Sequence, residues 1–339
     1  MIVLTGGGTG GHLTGIRALK DAFIKEGVDP IFIGSIHGLD RKWFAEEAGF
    51  AARYFLNTRG VVNRRLLGKI VSFAMIARET ITAIGILKQH KVKAVLSVGG
   101  YPAAAASFAA TVRRISLFIH EHNVSVSHLH RIMMPYAQEL FSSYDGRSPV
   151  LDYPVDMTFF DGRRRRNHVQ RVLFLGGSQG ASFINDFALA VAPVLDRRGI
   201  AITHQTGKPE FKRVKTAYEA MNVDADCFAF DRDLASRMVQ ADFAVTRAGA
   251  GTLWETAANG LPALFIPYPY AARDHQYYNA KHFADQGLGF VARQSEVNSD
   301  ILLAALKCDA RSISSRLMAL IRPGGAEKIV QHVLKLIRE

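Results

Sequence analysis

Cysteine is nearly missing from this 339-residue chain. Cys227 and Cys308 are the only two, so no disulfide framework staples the fold and a reducing compartment suits it. Only Ile2–Leu4 precede the first glycines, too little for the apolar core of a secretion signal. No stretch approaches the roughly 18 uninterrupted apolar residues of a membrane-spanning helix. The best run, "YPAAAASFAATV", reads as a buried, Ala-rich helix. Acidic residues are also in deficit. Lys and Arg number 42 against 30 Asp and Glu, and the resulting net charge of +12 asks for an anionic partner: a phosphorylated ligand, an anionic membrane face or nucleic acid. The basic residues are not interleaved with stacking aromatics, so nucleic acid is not expected.

Two further absences concern nucleotides. The opening "MIVLTGGGTGGHL" runs from a short strand into glycines, and Gly6, Gly8 and Gly11 satisfy the spacing G-x-G-x-x-G. A dinucleotide fold also requires an acidic residue at the end of its second strand, to bond the ribose. That strand, "PIFIGSIHG", ends in Ser35, Ile36 and His37, and the nearest carboxylate, Asp40, lies beyond the turn. NAD or FAD, and with them a nicotinamide dehydrogenase, are therefore not expected. No G-x-x-x-x-G-K-[ST] is present, which excludes a P-loop NTPase.

What is present is an alternation of apolar, β-rich runs with amphipathic helical patterns. Strands are predicted at Met1–Thr5, Pro30–Gly34, Ala52–Leu56, Ala94–Val98, Leu117–His120 and Glu139–Ser142. The basic stretch "DGRRRRNHVQ" interrupts the pattern, and Arg163–Arg166 read as the solvated face of a linker. The alternation restarts at "RVLFLGGSQGASFIN", so a strand, a glycine-rich turn and a helix occur twice. The predicted class is α/β: two doubly wound, Rossmann-like domains facing each other across a cleft. Their expected extents are 1–150 and 171–339 with a linker at 151–170, the last helix being able to return to the first domain. Each glycine turn offers an anion the unpaired N–H groups of a helix N-terminus. "TRAGAGTLWETAANGLP" adds a cationic Arg247 and an acidic Glu255 around a third helix start, and "PYPYAARDHQYYNA" supplies Asp274, Gln276 and Asn279, which bond sugar hydroxyls or cap the helix.

Six stretches in order carry a specific resemblance: "GGGTGGH", "SVGGYPAAAASFAA", "HEHN", "LGGSQGASFIN", "HQTGK" and "RAGAGTLWETAANGLPALFIPYPYAARDHQYYNA". Together they resemble the MurG family of GT-B glycosyltransferases. The resemblance implies an inverting transferase that moves GlcNAc from UDP-GlcNAc to a lipid-linked muramyl-peptide, completing the disaccharide precursor of peptidoglycan. It implies a peripheral enzyme on the inner face of the bacterial cytoplasmic membrane, with no metal cofactor. By the same resemblance Ser178, Gln179 and Gly180 lie at the donor diphosphate, and Arg247 and Gly249 line the nucleotide pocket. Glu255 bonds the ribose, the backbone of Phe230 reads the uracil edge, and Gln276 and Asn279 touch the GlcNAc hydroxyls. Thr9, Gly10, Gly11 and Asn123 border the donor as well, and Gly8, His12, Glu121 and Asn123 face the acceptor. Two departures stand out: His122 occupies the third place of the usual "HEQN", and "DYPVD" (Asp152–Asp156) replaces "GNPVR", with an acid where the family has arginine.

The implied reaction needs a base for the acceptor hydroxyl and a stabiliser for the departing diphosphate. His12, just past a glycine turn at a helix start, is the expected base, and Glu121 is the alternative. A metal-dependent transferase would instead use "DAD" (Asp224–Asp226) or "DRD" (Asp231–Asp233), but Asp231 reads as a helix cap. The pairs His120/His122 and His128/His130 offer no third zinc ligand. Membrane contact is expected at Arg64, Arg65, Leu66, Leu67, Lys69, Ile70 and Phe73, where apolar residues on more than one helix face adjoin a cationic rim. A diacylglycerol glycosyltransferase and a non-catalytic nucleotide-sugar-binding protein are the alternative readings.

Overall fold

The computed structural model describes residues 1–8, 10–60, 66–176, 181–231 and 233–338, apart from the side chains of residues 66, 67 and 69. The chain forms two units: Met1–Asp156 with Gly324–Glu339, and Met157–Pro323.

The first unit alternates β1 (Ile2–Thr5), α1 (Gly10–Lys25), β2 (Ile31–Ser35), α2 (Asp40–Phe44), β3 (Ala52–Leu56), α3 (Leu66–Gln89), β4 (Ala94–Ser97), α4 (Ala104–Arg113), β5 (Ser116–Glu121), α5 (His128–Met133) and β6 (Glu139–Ser142). All strand pairs are parallel, in the order β3-β2-β1-β4-β5-β6. A parallel sheet is covered on both faces, so its central strands are apolar throughout rather than alternating. Ile2, Val3 and Leu4 are all buried accordingly. Leu13, Ile16 and Phe23 of α1 pack on one face, and Ala83, Ile86 and Leu87 of α3 with Ala105, Ala106 and Ala109 of α4 pack on the other.

The second unit contains β7 (Arg171–Leu175), α6 (Ser182–Asp196), β8 (Ala201–Gln205), α7 (Phe211–Ala220), β9 (Ala225–Phe228), α8 (Leu234–Gln240), β10 (Phe243–Thr246), α9 (Ala250–Asn259), β11 (Ala263–Phe265), α10 (His275–Asp285), β12 (Phe290–Val291), α11 (Ser299–Ala305) and α12 (Ala310–Leu320). Its sheet is also parallel, ordered β12-β11-β10-β7-β8-β9. The last helix, α13 (Gly325–Leu336), belongs to the first unit. Ile329, Val330, Val333 and Leu334 join the core beside α1, while Lys25 pairs with Glu327 at 2.8 Å on the surface.

Two expectations are corrected. The boundary falls at 156/157, so residues 157–170 are not a free linker but part of the second unit. Nor is the arginine run solvated throughout: Arg165 is exposed and Arg163 and Arg164 are half-buried, but Arg166 is not at the surface. Arg166 is fully buried, donating to the carbonyls of Arg164, Met238, Ala241 and Asn259 and to the Asn259 side chain. The carbonyls of Met238, Ala241 and Asn259 lie at the C-terminal ends of α8 and α9, where the helix dipole is negative. Burial, with Arg164 adjacent, lowers the Arg166 pKa to about 9, which still leaves it charged at neutral pH.

Candidate active site

Ligands of open α/β sheets bind outside the strand C-termini, where the strand order reverses. In the first unit that point lies between β1 and β4. The loop after β1 has positive φ at Gly6, Gly7 and Gly8 (149°, 140° and 80°), and the Gly7 N–H donates to the Gly99 carbonyl at 3.2 Å. A Cβ on Gly6 would stand 2.3 Å from Val98, and one on Gly7 2.4 Å from the Asp40 carboxylate, so neither position admits a side chain. The loop delivers Gly10, Gly11 and His12 into the first turn of α1, where His12 is half-buried. Its ring meets that of His122 edge-on, with centroids 5.2 Å apart.

At the end of β5, Glu121 is buried and saturated with donors. One oxygen accepts from the N–H and side-chain amide of Asn123 at 3.0 and 3.2 Å; the other accepts from the Ser127 N–H at 2.9 Å and bonds His130 Nδ1 at 2.8 Å. Burial alone would raise its pKa, but His130 and the backbone donors prevail and hold it at about 2. A carboxylate so weakly basic and so fully bonded is a poor proton acceptor. Glu121 therefore corrects from alternative base to anchor: it fixes Asn123 and the turn into α5. His120 and His122 are buried too. Burial, reinforced by neighbouring imidazoles, lowers His120 to about 3 and His122 well below its usual value, so both are neutral.

The two departures from the family pattern meet here. His122 Nδ1 shares a short hydrogen bond with the hydroxyl of Tyr153, from "DYPVD", and both residues are buried. Asp152 of the same segment pairs with Lys328 of α13. Motif comparison alone gives no sign of this coupling, because 31 residues separate the partners.

In the second unit the order reverses between β7 and β10. Ser178, Gln179 and Gly180, like Thr9, Arg64 and Arg65, lie outside the described residues. Gly176 is followed by α6, and a Cβ there would stand 3.0 Å from Ala181 N. Arg247, at the end of β10, donates to the carbonyls of Ile266 and Pro267, both at 3.2 Å, and to Gln294 Oε1 at 3.0 Å. Its guanidinium lies over Phe183 and Tyr268, and burial lowers its pKa. Around it opens a cavity of ≈ 410 Å³ lined by Gly176, Phe183, Tyr268, Tyr270, Gln276 and Gln294. This is within the range of small-molecule sites. An adjoining cavity of ≈ 310 Å³ adds Pro267 and Arg293.

Gln276 accepts from the Tyr268 N–H at 2.9 Å, Gly249 starts α9, and Phe230 is exposed beyond β9. Glu255, on α9, is 7% exposed and lines neither cavity. Asn279 is wholly buried, so the expected contact with the sugar is not available in this conformation. Gln294, Phe183, Tyr268 and Tyr270 had been missed. The aromatic "PYPY" was the one available signal, whereas Gln294 stands in no motif.

The acidic pairs are otherwise engaged. Asp226 and Asp231 both pair with Arg237, and Asp233 caps α8 by accepting from Ser236 N at 3.2 Å. The cap is thus Asp233 rather than Asp231, which instead accepts from the Asp233 N–H at 2.9 Å. Among the described residues no three His, Cys, Asp or Glu side chains form a metal-binding group.

Residues 2–142 match the N-terminal domain of glycosyltransferase family 28, and residues 171–322 match its C-terminal domain. The chain belongs to glycosyltransferase family 28. Among its relatives within and around this family, a Wolinella succinogenes protein is 49% identical, covering 98% of this chain and 99% of its own length. A Sulfurimonas denitrificans protein is 46% identical, covering 98% of each. Both are named UDP-N-acetylglucosamine–N-acetylmuramyl-(pentapeptide) pyrophosphoryl-undecaprenol N-acetylglucosamine transferase. The crystal structure of Acinetobacter baumannii MurG superposes with a TM-score of 0.77 at 26% identity, covering 100% of this chain and 98% of that one. The two parallel units are those of a GT-B glycosyltransferase.

Proposed function

We propose that this family 28 enzyme moves GlcNAc from UDP-GlcNAc to the C4 hydroxyl of undecaprenyl-pyrophosphoryl-MurNAc-peptide, converting lipid I to lipid II in peptidoglycan synthesis. The observation that carries this reading is the 49% identity, over nearly the whole chain, to a transferase named for that reaction. The second unit holds the donor: Arg247 and the aromatic cavity beside it receive the nucleotide. The first unit presents the acceptor, with Gly8 and Asn123 placing the muramyl sugar. His12 takes the C4 proton as that oxygen attacks the anomeric carbon and the bond to the diphosphate breaks, a single displacement that inverts the centre. The N-termini of α6 and α9 stabilise the departing diphosphate.

No divalent ion is required in this reading, which the engagement of Asp226 and Asp231 by Arg237 supports. The enzyme works on an anionic membrane surface. At the start of α3 the usual amphipathic pattern is inverted: Ile70, Val71 and Phe73 are exposed while Ser72 is buried. An apolar face turned to water suits insertion among headgroups, and the basic residues that flank it in sequence suit anionic ones. Ile70–Gln89 has the length and mean hydropathy (1.7) of a membrane span, but Arg78 and Glu79 interrupt it and one face of its second half packs on the core through Ala83, Ile86 and Leu87. The test is UDP release from UDP-GlcNAc in detergent with EDTA, with and without the lipid-linked acceptor. Release that depends on the acceptor and survives EDTA supports the reading; release abolished by EDTA overturns its metal-free mechanism.

A further inference from the structure

Asp40, the carboxylate that stands too far beyond β2 to bond a ribose, is fully buried at the start of α2. Its Oδ1 accepts from the Gly8 N–H at 2.6 Å, and its Oδ2 accepts from the Ser35 N–H at 2.9 Å. The carboxylate lies against Gly7, in the space a side chain there would need, so it supports the glycine loop from behind. The ring of Tyr101 backs the same loop at Gly8, and its hydroxyl donates to the His37 carbonyl at 3.0 Å.

No described lysine or arginine pairs with this carboxylate. Tyr101 is the titratable group coupled to it, through mutual repulsion of their ionised forms. On β3, Arg53 is taken up by the Glu47 carbonyl and Tyr54 by His90; on α2 itself Arg41 and Lys42 are exposed. The His37 ring, on the turn before α2, bonds Asn57 and Arg59, and the His12 ring meets that of His122. Burial without a cation raises the Asp40 pKa to about 6 despite the N–H donors of Gly8, Ser35 and its own backbone. An ionised carboxylate in that position opposes folding at neutral pH, so packing alone does not account for it.

We propose that Asp40 is a positioning residue: its ionised carboxylate holds the 6–8 loop in the shape that receives the acceptor, and protonation releases that loop. A neutral acid accepts the two N–H bonds less strongly and must place a proton where both oxygens already face donors. The proposal rests on the reading of this loop as facing the acceptor. It assigns acceptor affinity, and not the proton transfer at His12, to Asp40.

The experiment is steady-state kinetics of wild type and Asp40→Asn from about pH 5 to about pH 8, with both Michaelis constants determined at each pH. In wild type the acceptor KM should climb as the pH falls through about 6, while the UDP-GlcNAc KM stays level. Asp40→Asn should raise the acceptor KM roughly tenfold or more at the alkaline end, as befits loss of a charge-assisted bond. It should abolish the pH dependence of that constant and leave the kcat limb in place. Its thermal midpoint at neutral pH should equal or exceed that of wild type. A wild-type acceptor KM that is flat with pH, or an Asp40→Asn variant with an unchanged acceptor KM, overturns the proposal. So does a variant that fails to fold, which would make the carboxylate a folding strut. An increase confined to the UDP-GlcNAc KM overturns instead the reading that this loop serves the acceptor.

Discussion

Replacing Arg166 with methionine removes a buried cation whose donors all end on oxygens of the second unit. Nε donates to the Ala241 carbonyl at 3.2 Å; Nη1 donates to the Arg164 carbonyl at 2.9 Å and to that of Asn259; Nη2 donates to the Met238 carbonyl at 2.9 Å and to the Asn259 side chain. Methionine fills much of the volume but donates nothing: it strands the Asn259 carbonyl in a dry interior and takes a charged donor from the Met238 and Ala241 carbonyls, which keep the Ala241 N–H and Arg164 as partners. An unsatisfied buried acceptor costs about 1–3 kcal/mol, partly relieved by local relaxation. The net loss should be about 3–5 kcal/mol, which lowers the melting midpoint of a unit this size by roughly 10 °C. Lysine keeps the charge but offers three donors in place of five, so Arg166→Lys should fall between wild type and Arg166→Met. Circular-dichroism melting with and without UDP is the assay, since the transition that UDP raises reports on the second unit. A drop of less than about 2 °C for Arg166→Met would refute the claim that this residue ties the two helix ends together.

Three further outcomes are expected. His12→Ala should lower turnover by roughly 10²-fold while UDP affinity stays nearly constant; an equal loss of UDP affinity would move His12 to the donor side. Tyr153→Phe and His122→Leu, alone and combined, should show a coupling of about 1–2 kcal/mol in urea unfolding, because each change breaks the same buried hydrogen bond; strict additivity would dissolve the pairing. Phe73→Asp should weaken binding to vesicles containing anionic lipid several-fold while sparing UDP release in detergent. Binding unchanged by that substitution would remove α3 from the membrane contact.

Much of the fold was legible because parallel strands declare themselves. A strand covered on both faces is an unbroken apolar run, as β1, β2 and β4 are, and all six strands of the first unit stand within a residue of where the pattern places them. Glycine turns mark the strand-to-helix crossings at both switch points for a related reason: the Asp40 carboxylate against Gly7 and the backbone beside Gly176 crowd the space a Cβ would take. Arg166 was misread because a run of four arginines is ordinarily solvated. What buries this one is a set of carbonyls, most of them 72 to 93 residues further along the chain. Gln294 escaped notice for the same reason, reaching Arg247 across 47 residues. Glu121 sat in a motif and was given chemistry, although its role is set by Asn123, Ser127 and His130 closing around it. Asp40 was noticed only for failing to be a ribose ligand; a local pattern does not show that α2 returns it to the glycine loop.

The measurement closest to the central claim follows labelled GlcNAc from UDP-GlcNAc into lipid. Purified enzyme, with EDTA present, is offered undecaprenyl-pyrophosphoryl-MurNAc-pentapeptide or diacylglycerol, and the extracted products are resolved by mass and anomeric configuration. The expected result is one added N-acetylhexosamine on the muramyl lipid alone, β-linked at C4. Labelled diacylglycerol, or an α-linked product, would contradict the account.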